Sequence, residues 1–322
     1  MISSLIRAFN AFTIAFVKRV SPLPGYKISC VAYGNGKFVG LAHNGTTHKV
    51  ITSTDGITWT AGTTITVFHN ETSASKIMFG NGVFVAYQNG NYTTKATTVV
   101  SSTDGITWTQ RSTIFTNPAN DYVSGMIFAR GLFILYGYTG SPFVQRIVTS
   151  ADGVTWTSRT TGLTTEDQIM SMGNSDSLIV AGALISSSNL ITLLTSTNGI
   201  TWTKVTFPYQ SDGHIYSICF INNTFVIITS TYKAFTSPDG TNWTKRNTNA
   251  PGVFINLSVN NLAYMNKYAN TVRTIHVSTN GVDWSILPTS FTIQSINAIT
   301  YGNGLYVAIS NEEIATSTSG LI

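Results

Sequence analysis

The stretch TSTDGITWT at residues 52–60 recurs along the chain, and that recurrence constrains the fold more than any other feature. It returns as SSTDGITWT at 101–109, TSADGVTWT at 149–157 and TSTNGITWT at 195–203. Looser copies are TSPDGTNWT at 236–244 and VSTNGVDWS at 277–285, and a partial seventh, TSTSGLI, occupies 316–322. The second residue of each copy falls 39 to 49 residues after the one before it. A period of this size with several short strands per repeat predicts a β-propeller.

Each copy reads as an apolar strand, a Ser-x-Asp/Asn-Gly turn and a Trp-Thr return. Glycine supplies positive φ without a Cβ clash, and the Asp or Asn side chain accepts hydrogen bonds from the turn's own amides. Asp55, Asp104, Asp152, Asn198, Asp239 and Asn280 are therefore turn formers. Trp59, Trp108, Trp156, Trp202, Trp243 and Trp284, expected on the return strand, are packing anchors worth about 2–3 kcal/mol each when well buried. A catalytic group is needed once, so six copies argue for a structural role.

Upstream of each turn lies a second repeated element, YGNGKFVG at residue 33, FGNGVFVAY at 79 and YGNGLYVAI at 301 among them. It reads as strand, tight turn, strand. Every repeat then holds four strands, in the first repeat about 28–33, 37–42, 49–53 and 57–61, here called A to D. Seven repeats predict an all-β chain of seven blades, each of four antiparallel strands. The last repeat lacks a Trp strand, and the first residues supply one. The segment 16–19, FVKR, aligns with WTKR at 243–246. Residues 10–20 are thus expected to form the outer strand of the last blade, with Phe16 in the Trp position, closing the ring. Residues 10–322 then make one domain and residues 1–9 a small extension.

Only 10% of residues are charged, and the net charge is +5. Seven of the 18 basic residues follow the Trp position directly: Lys18, Arg19, Arg111, Arg159, Lys204, Lys245 and Arg246. On an outer edge strand such residues discourage edge-to-edge pairing. A nucleic-acid surface needs basic residues gathered on one face with stacking aromatics, so no nucleic-acid partner is expected. Cys30 and Cys219 sit in apolar strand patterns and read as buried free thiols. No apolar run is long enough to span a membrane. Residues 1–20 lack a small-x-small site, so no cleavable signal peptide is expected.

The A–B and C–D turns are short and repetitive and fall on one face of the ring. The B–C loops (43–48, 88–97, 138–146, 186–189, 266–273) and the D–A loops (62–76, 110–124, 204–214) differ in sequence and fall on the other. A regular scaffold carries recognition on such irregular loops. The candidates there are His69, Tyr92, Tyr122, Tyr138, Phe143, Tyr209, His214 and Tyr268. Aromatic rings beside amides and hydroxyls suit a glycan: rings cover the apolar sugar face and polar groups bond its hydroxyls. The alternative is that these rings cap the blades. No metal-spaced cluster stands out, His43 with His48 being a weak signal, and every Gly-rich segment is a repeat turn, so neither metal nor cofactor is expected.

The S-x-D-G-x-x-W hairpin resembles the Asp-box, or BNR repeat, of sialidase-like propellers, one residue shorter than the usual S-x-D-x-G-x-T-W. The pairing of Y-G-N-G-x-F-V-A with S-x-D-G-x-T-W is similar to repeat proteins of tailed-bacteriophage virions. In the Asp-box family the box is structural, which implies the same for the six Asp and Asn residues above. Sialidase chemistry does not carry over, because an arginine cluster and a Tyr–Glu pair with an Asp acid/base are not recognisable. The resemblance implies a non-enzymatic virion component of the tail, fibre or surface, with a host-surface glycan or receptor and other virion proteins as partners. The alternatives are a purely structural virion subunit and a divergent glycan hydrolase.

Overall fold

The computed structural model describes residues 16–69, 76–90, 96–113, 115–117, 120–164, 166–248, 257–259, 261–269, 272–286 and 296–318, with backbone alone at 257–259, 267–269 and 272–273. These residues form seven separate four-stranded antiparallel sheets. The first has strands A Lys27–Gly34, B Lys37–His43, C His48–Ser53 and D Thr60–Thr64. Strand A of the next six lies at Lys76–Gly80, Tyr122–Ala129, Gln168–Asn174, Ile215–Ile221, Leu257–Val259 and Ala298–Gly302. Each strand A touches strand A of the sheets before and after it, the last touching the first. The A strands therefore line the inside of a closed ring, and the D strands form its rim.

The ring is closed by strand exchange between the two ends of the chain. Val17–Arg19 is the outermost strand of the last sheet and pairs with Glu313–Ser317, in the register Val17↔Thr316, Lys18↔Ala315 and Arg19↔Ile314. Phe16 is 1% exposed and packs with Tyr264, Tyr306 and Ala315, the place a Trp takes in other blades. The expected outer strand spans 10–20; residues 10–15, like the extension 1–9, lie outside the described residues.

The repeated turn differs from the expected tight hairpin in one respect. Strand D begins after the Trp, at Thr60, Thr109, Thr157, Thr203, Thr244 and Ser285. The Trp thus closes the turn instead of lying on the return strand. The hydrogen bonds explain why. Asp55 Oδ1 accepts from Ser53 Oγ and from the amides of Ile57 and Thr58, all at 2.8 Å. Ser53 Oγ accepts from Gly56 N at 2.8 Å, and Trp59 Nε1 donates to Gly56 O at 2.8 Å. Ser53 and Asp55 thus take up the amides of residues 56–58 within the turn, and the strand ladder resumes at Thr60. The indole bond recurs at Trp243 and Trp284, while Trp108, Trp156 and Trp202 Nε1 have no hydrogen-bond partner among the described residues. Gly56 has φ +73°, and a Cβ there would fall 2.5 Å from Leu305. Asn198 and Asn280 hold their turns in the same way, so the function needs a side-chain acceptor and not a charge.

The A–B turns are two-residue hairpins except in the fourth blade, where residues 175–178 join Asn174 to Ile179. Asn35 and Gly36 have φ of 48° and 73°, a pair of left-handed residues that matches the twist of adjoining strands. The core lies between blades. Cys30, Val39 and Leu41 of the first blade pack with Phe84, Ala86 and Val100 of the second, and similar layers recur around the ring. Both cysteines are buried free thiols, pushed up to about 12 by burial.

Candidate functional site

The two faces of the ring are built by different means. On the turn face, the A–B turn residue of one blade reaches two carbonyls of the next. Asn35 Nδ2 donates to Gly82 O at 3.1 Å and Thr103 O at 3.0 Å, and Asn81 Nδ2 to Gly131 O and Ala151 O at 2.8 Å each. Arg130 takes that place in the third blade, with Nε on Thr197 O at 2.8 Å and Nη1 on Asp176 O. The aromatic that precedes the turn lies over a glycine of the preceding blade. A Cβ on Gly34 would come within 2.1 Å of the Phe79 ring, on Gly80 within 2.2 Å of Phe128, and on Gly302 within 2.0 Å of Tyr33. The aromatic-Gly-Asn-Gly sequence is thus an interlock between neighbours as well as a hairpin.

On the loop face, single amide and carboxylate side chains clamp the backbone of adjacent segments. Gln88, fully buried, accepts from His69 N at 2.6 Å and donates to His69 O at 2.9 Å. Asn89 pairs in the same two-way manner with Val123, and Asn266 with Ile296. Gln145 accepts from Ile169 N at 2.7 Å, while Asp121 and Asp167 accept from loop amides. Gln88, Asn89, Gln145 and Asn266 are lone polar residues in or beside otherwise apolar strands and leave no periodic trace, whereas Asp121 and Asp167 stand at the same place, just before strand A, in adjacent blades.

Between these clamps stands an aromatic shelf on the third blade. Tyr122 and Tyr138 stack with centroids 5.7 Å apart and planes 23° from parallel. Phe143 meets Tyr138 at 4.6 Å and 49°, and is 38% exposed. The loop between them contains a cis Ser141–Pro142 bond. Its position is fixed on three sides: Gly140 N donates to Asp121 Oδ1 at 3.0 Å, Glu166 N to Phe143 O at 2.6 Å, and Arg146 Nε to Thr139 Oγ1 at 3.1 Å. Burial, with a smaller effect of Tyr122, raises the Tyr138 hydroxyl above its ordinary pKa, so it is a neutral donor at physiological pH.

The structure brings three of the eight sequence candidates together, Tyr122, Tyr138 and Phe143. His69 is committed elsewhere: its Nε2 is 2.7 Å from Ala96 O, and its carbonyl accepts from His48 Nε2 at 2.6 Å as well as from Gln88. Since carbonyls only accept, both rings carry a proton on Nε2. Tyr209 packs on Phe235 at 4.7 Å and donates to Trp243 O at 3.2 Å, a packing role in the fifth blade. His214 is half-buried, with its backbone paired to Ser230. Tyr268 lies on a strand that pairs it with Arg273, and its side chain, like all of Tyr92, is outside the described residues. Among the described residues no three His, Cys, Asp or Glu side chains gather as metal ligands.

Solved structures share this architecture. A structure of YCF48 bound to D1 peptide superposes with a TM-score of 0.64 at 13% identity, over 97% of this chain and 99% of that one. Virginiamycin B lyase from Staphylococcus aureus gives 0.65 at 11% identity, over 95% and 99%. The WD40 domain of Doa1 gives 0.61 at 9%, over 95% and 98%. The chain is a seven-bladed β-propeller. At these identities the likeness is one of fold alone, and the fold hosts unrelated activities. No protein-family model matches the sequence, and no curated protein does.

Proposed function

We propose that the protein is a non-enzymatic, virion-associated propeller that binds a host-surface glycan or receptor through its loop face, with Tyr122, Tyr138 and Phe143 as the platform. The supporting observation is the shelf itself. Tyr138 touches both Tyr122 and Phe143, Phe143 is 38% exposed, and the loop that joins Tyr138 to Phe143 is braced by Asp121, Glu166 and Arg146. A preformed aromatic surface spares the ligand the cost of ordering it. The stacked rings present apolar faces to a sugar ring, with phenolic hydroxyls at their edges.

An enzymatic reading finds less support. The propellers of similar shape include lyases and a peptide-bound protein, so the fold permits either. Here Asp121 and Asp167 of the loop face are buried and saturated by amides, which suits bracing better than proton transfer. The virion assignment rests on the paired Y-G-N-G-x-F-V-A and S-x-D-G-x-T-W elements, which resemble phage repeat proteins.

A glycan array with the purified protein tests the reading. Binding to at least one surface glycan is expected. Tyr138→Ala with Phe143→Ala should weaken it by about tenfold or more, two stacking contacts being worth roughly 0.5–1.5 kcal/mol each. Retained binding in that variant, or none in the wild type, would reject the shelf as the site.

A further inference from the structure

The basic residues of the rim fall into two sets, because successive residues of a strand point to opposite sides. Two residues past the Trp position, three blades carry a lysine: Lys18, Lys204 and Lys245. Lys18 pairs with Glu313, and Lys245 Nζ lies 2.7 Å from Asp212. Three residues past it come arginines: Arg19, Arg111, Arg159 and Arg246. Each donates Nε to the hydroxyl that opens the repeat on strand C of its own blade. The distances are 2.8 Å from Arg19 to Thr316, 2.7 Å from Arg111 to Ser101, 2.8 Å from Arg159 to Thr149 and 2.7 Å from Arg246 to Thr236. All four hydroxyl residues are buried, at 1 to 5% exposure. The first residue of the TSTDGITWT repeat thus has a function that its sequence does not show.

Neither described ion pair involves an arginine. Beside Arg111 and Arg159 the lysine position holds Gln110 and Ser158, so the arginines themselves supply the edge charge there. The arginines differ in being fixed. Nε bonded to a buried hydroxyl sets the plane of the fork and leaves the two Nη groups to bind the paired oxygens of an oxyanion. We propose that the rim binds an extended anionic polysaccharide, with Arg111 and Arg159 on adjacent blades, and Arg246 and Arg19 further round, each taking one carboxylate or sulfate group. The forks stand on separate blades, so the ligand is a flexible polymer and not a small anion. The D strands carry no aromatic residue among those described, which leaves nucleic-acid bases without a stacking surface. This site is independent of the aromatic shelf.

The test uses the full chain with dextran sulfate as probe and neutral dextran of equal length as control, measured by calorimetry at low and moderate salt. The wild type should bind dextran sulfate and not dextran. Arg111→Gln or Arg159→Gln alone should weaken binding about fivefold. Arg111→Gln/Arg159→Gln/Arg246→Gln should weaken it about fiftyfold or more and reduce the slope of log affinity against log salt by about two. Arg111→Lys should also weaken binding, by less than Arg111→Gln, because it keeps the charge and loses the fork, and Tyr138→Ala/Phe143→Ala should leave dextran sulfate binding unchanged. A triple variant within twofold of the wild type, or Arg111→Lys with full affinity, would overturn the proposal. Equal affinity for single-stranded DNA of matched charge would overturn the choice of polysaccharide. Melting curves check that each variant folds, and the single variants suffice if the triple one does not.

Discussion

The turn face and the loop face of this ring use the same kinds of bond to opposite effect. On the turn face Asn35, Asn81 and Arg130 each bind the next blade from the same repeat position. On the loop face Gln88, Asn89, Gln145 and Asn266 perform comparable clamping from positions that do not repeat. A periodic clamp fixes the geometry between neighbours, which must be alike all round if the ring is to close. An aperiodic clamp fixes one loop at a time, which lets each loop take its own shape. The aromatic shelf stands among these clamps, with Asp121 ahead of its strand A bonded as Asp167 is in the next blade.

That contrast can be tested from its largest consequence downwards. Gly34→Ala should have the greatest effect, since a Cβ 2.1 Å from the Phe79 ring must displace that ring or the blade. Overpacking of this kind costs about 3 kcal/mol in chemical denaturation. A cost under 1 kcal/mol would mean that the turn-face interlock is loose.

Gln88→Ala comes next. It removes the acceptor of His69 N and one of the two donors to His69 O, the other being His48 Nε2, and should lower stability by about 2 kcal/mol. Amide exchange should accelerate around residues 65–69, with the turn face unaffected; protection lost on both faces would erase the distinction between them.

Asn35→Gly isolates one periodic clamp, because glycine accepts the left-handed φ of 48° and only the amide is lost. About 1 kcal/mol is expected, and the same change at Asn81 should add to it independently, since the clamps share no partner. Marked non-additivity in the double variant would show that the ring transmits strain between blades.

The smallest effect should come from Asp55→Asn. Asn198 and Asn280 already hold the same turn, so stability at pH 7 should be nearly unchanged. The difference appears in acid. The amides of Thr58 and Ile57, with Ser53, hold the Asp55 carboxyl at about 2. A carboxylate depressed in the folded state contributes stability above its unfolded pKa of about 4, which is lost as pH falls towards 2. Melting temperature measured from pH 5 to pH 2 should therefore fall less in Asp55→Asn than in the wild type.

The sequence revealed most of what repeats. Six Ser-x-Asp/Asn-Gly-x-x-Trp copies and the GNG turns fixed the number of blades and strands, and FVKR at 16–19 located the closing strand. The one local difference, the Trp ending the turn, arises because the Ser and Asp or Asn side chains bond the turn's own amides, which a strand pattern does not convey. The candidate site was legible only in part. Tyr122, Tyr138 and Phe143 meet because strands A and B of one blade pair Tyr122 with Tyr138. His69 and Tyr209 looked equally available, yet packing claimed them.

Repetition alone determined the architecture of this protein, because a unit that cannot bury its own faces must stack on copies of itself, and the copies are visible in one dimension. Which rings gather into a shelf, which histidine has its backbone held by a glutamine and which arginine rests on a buried hydroxyl were decided only in three dimensions. Those contacts join residues tens of positions apart, and their partners appear once the blades are in place.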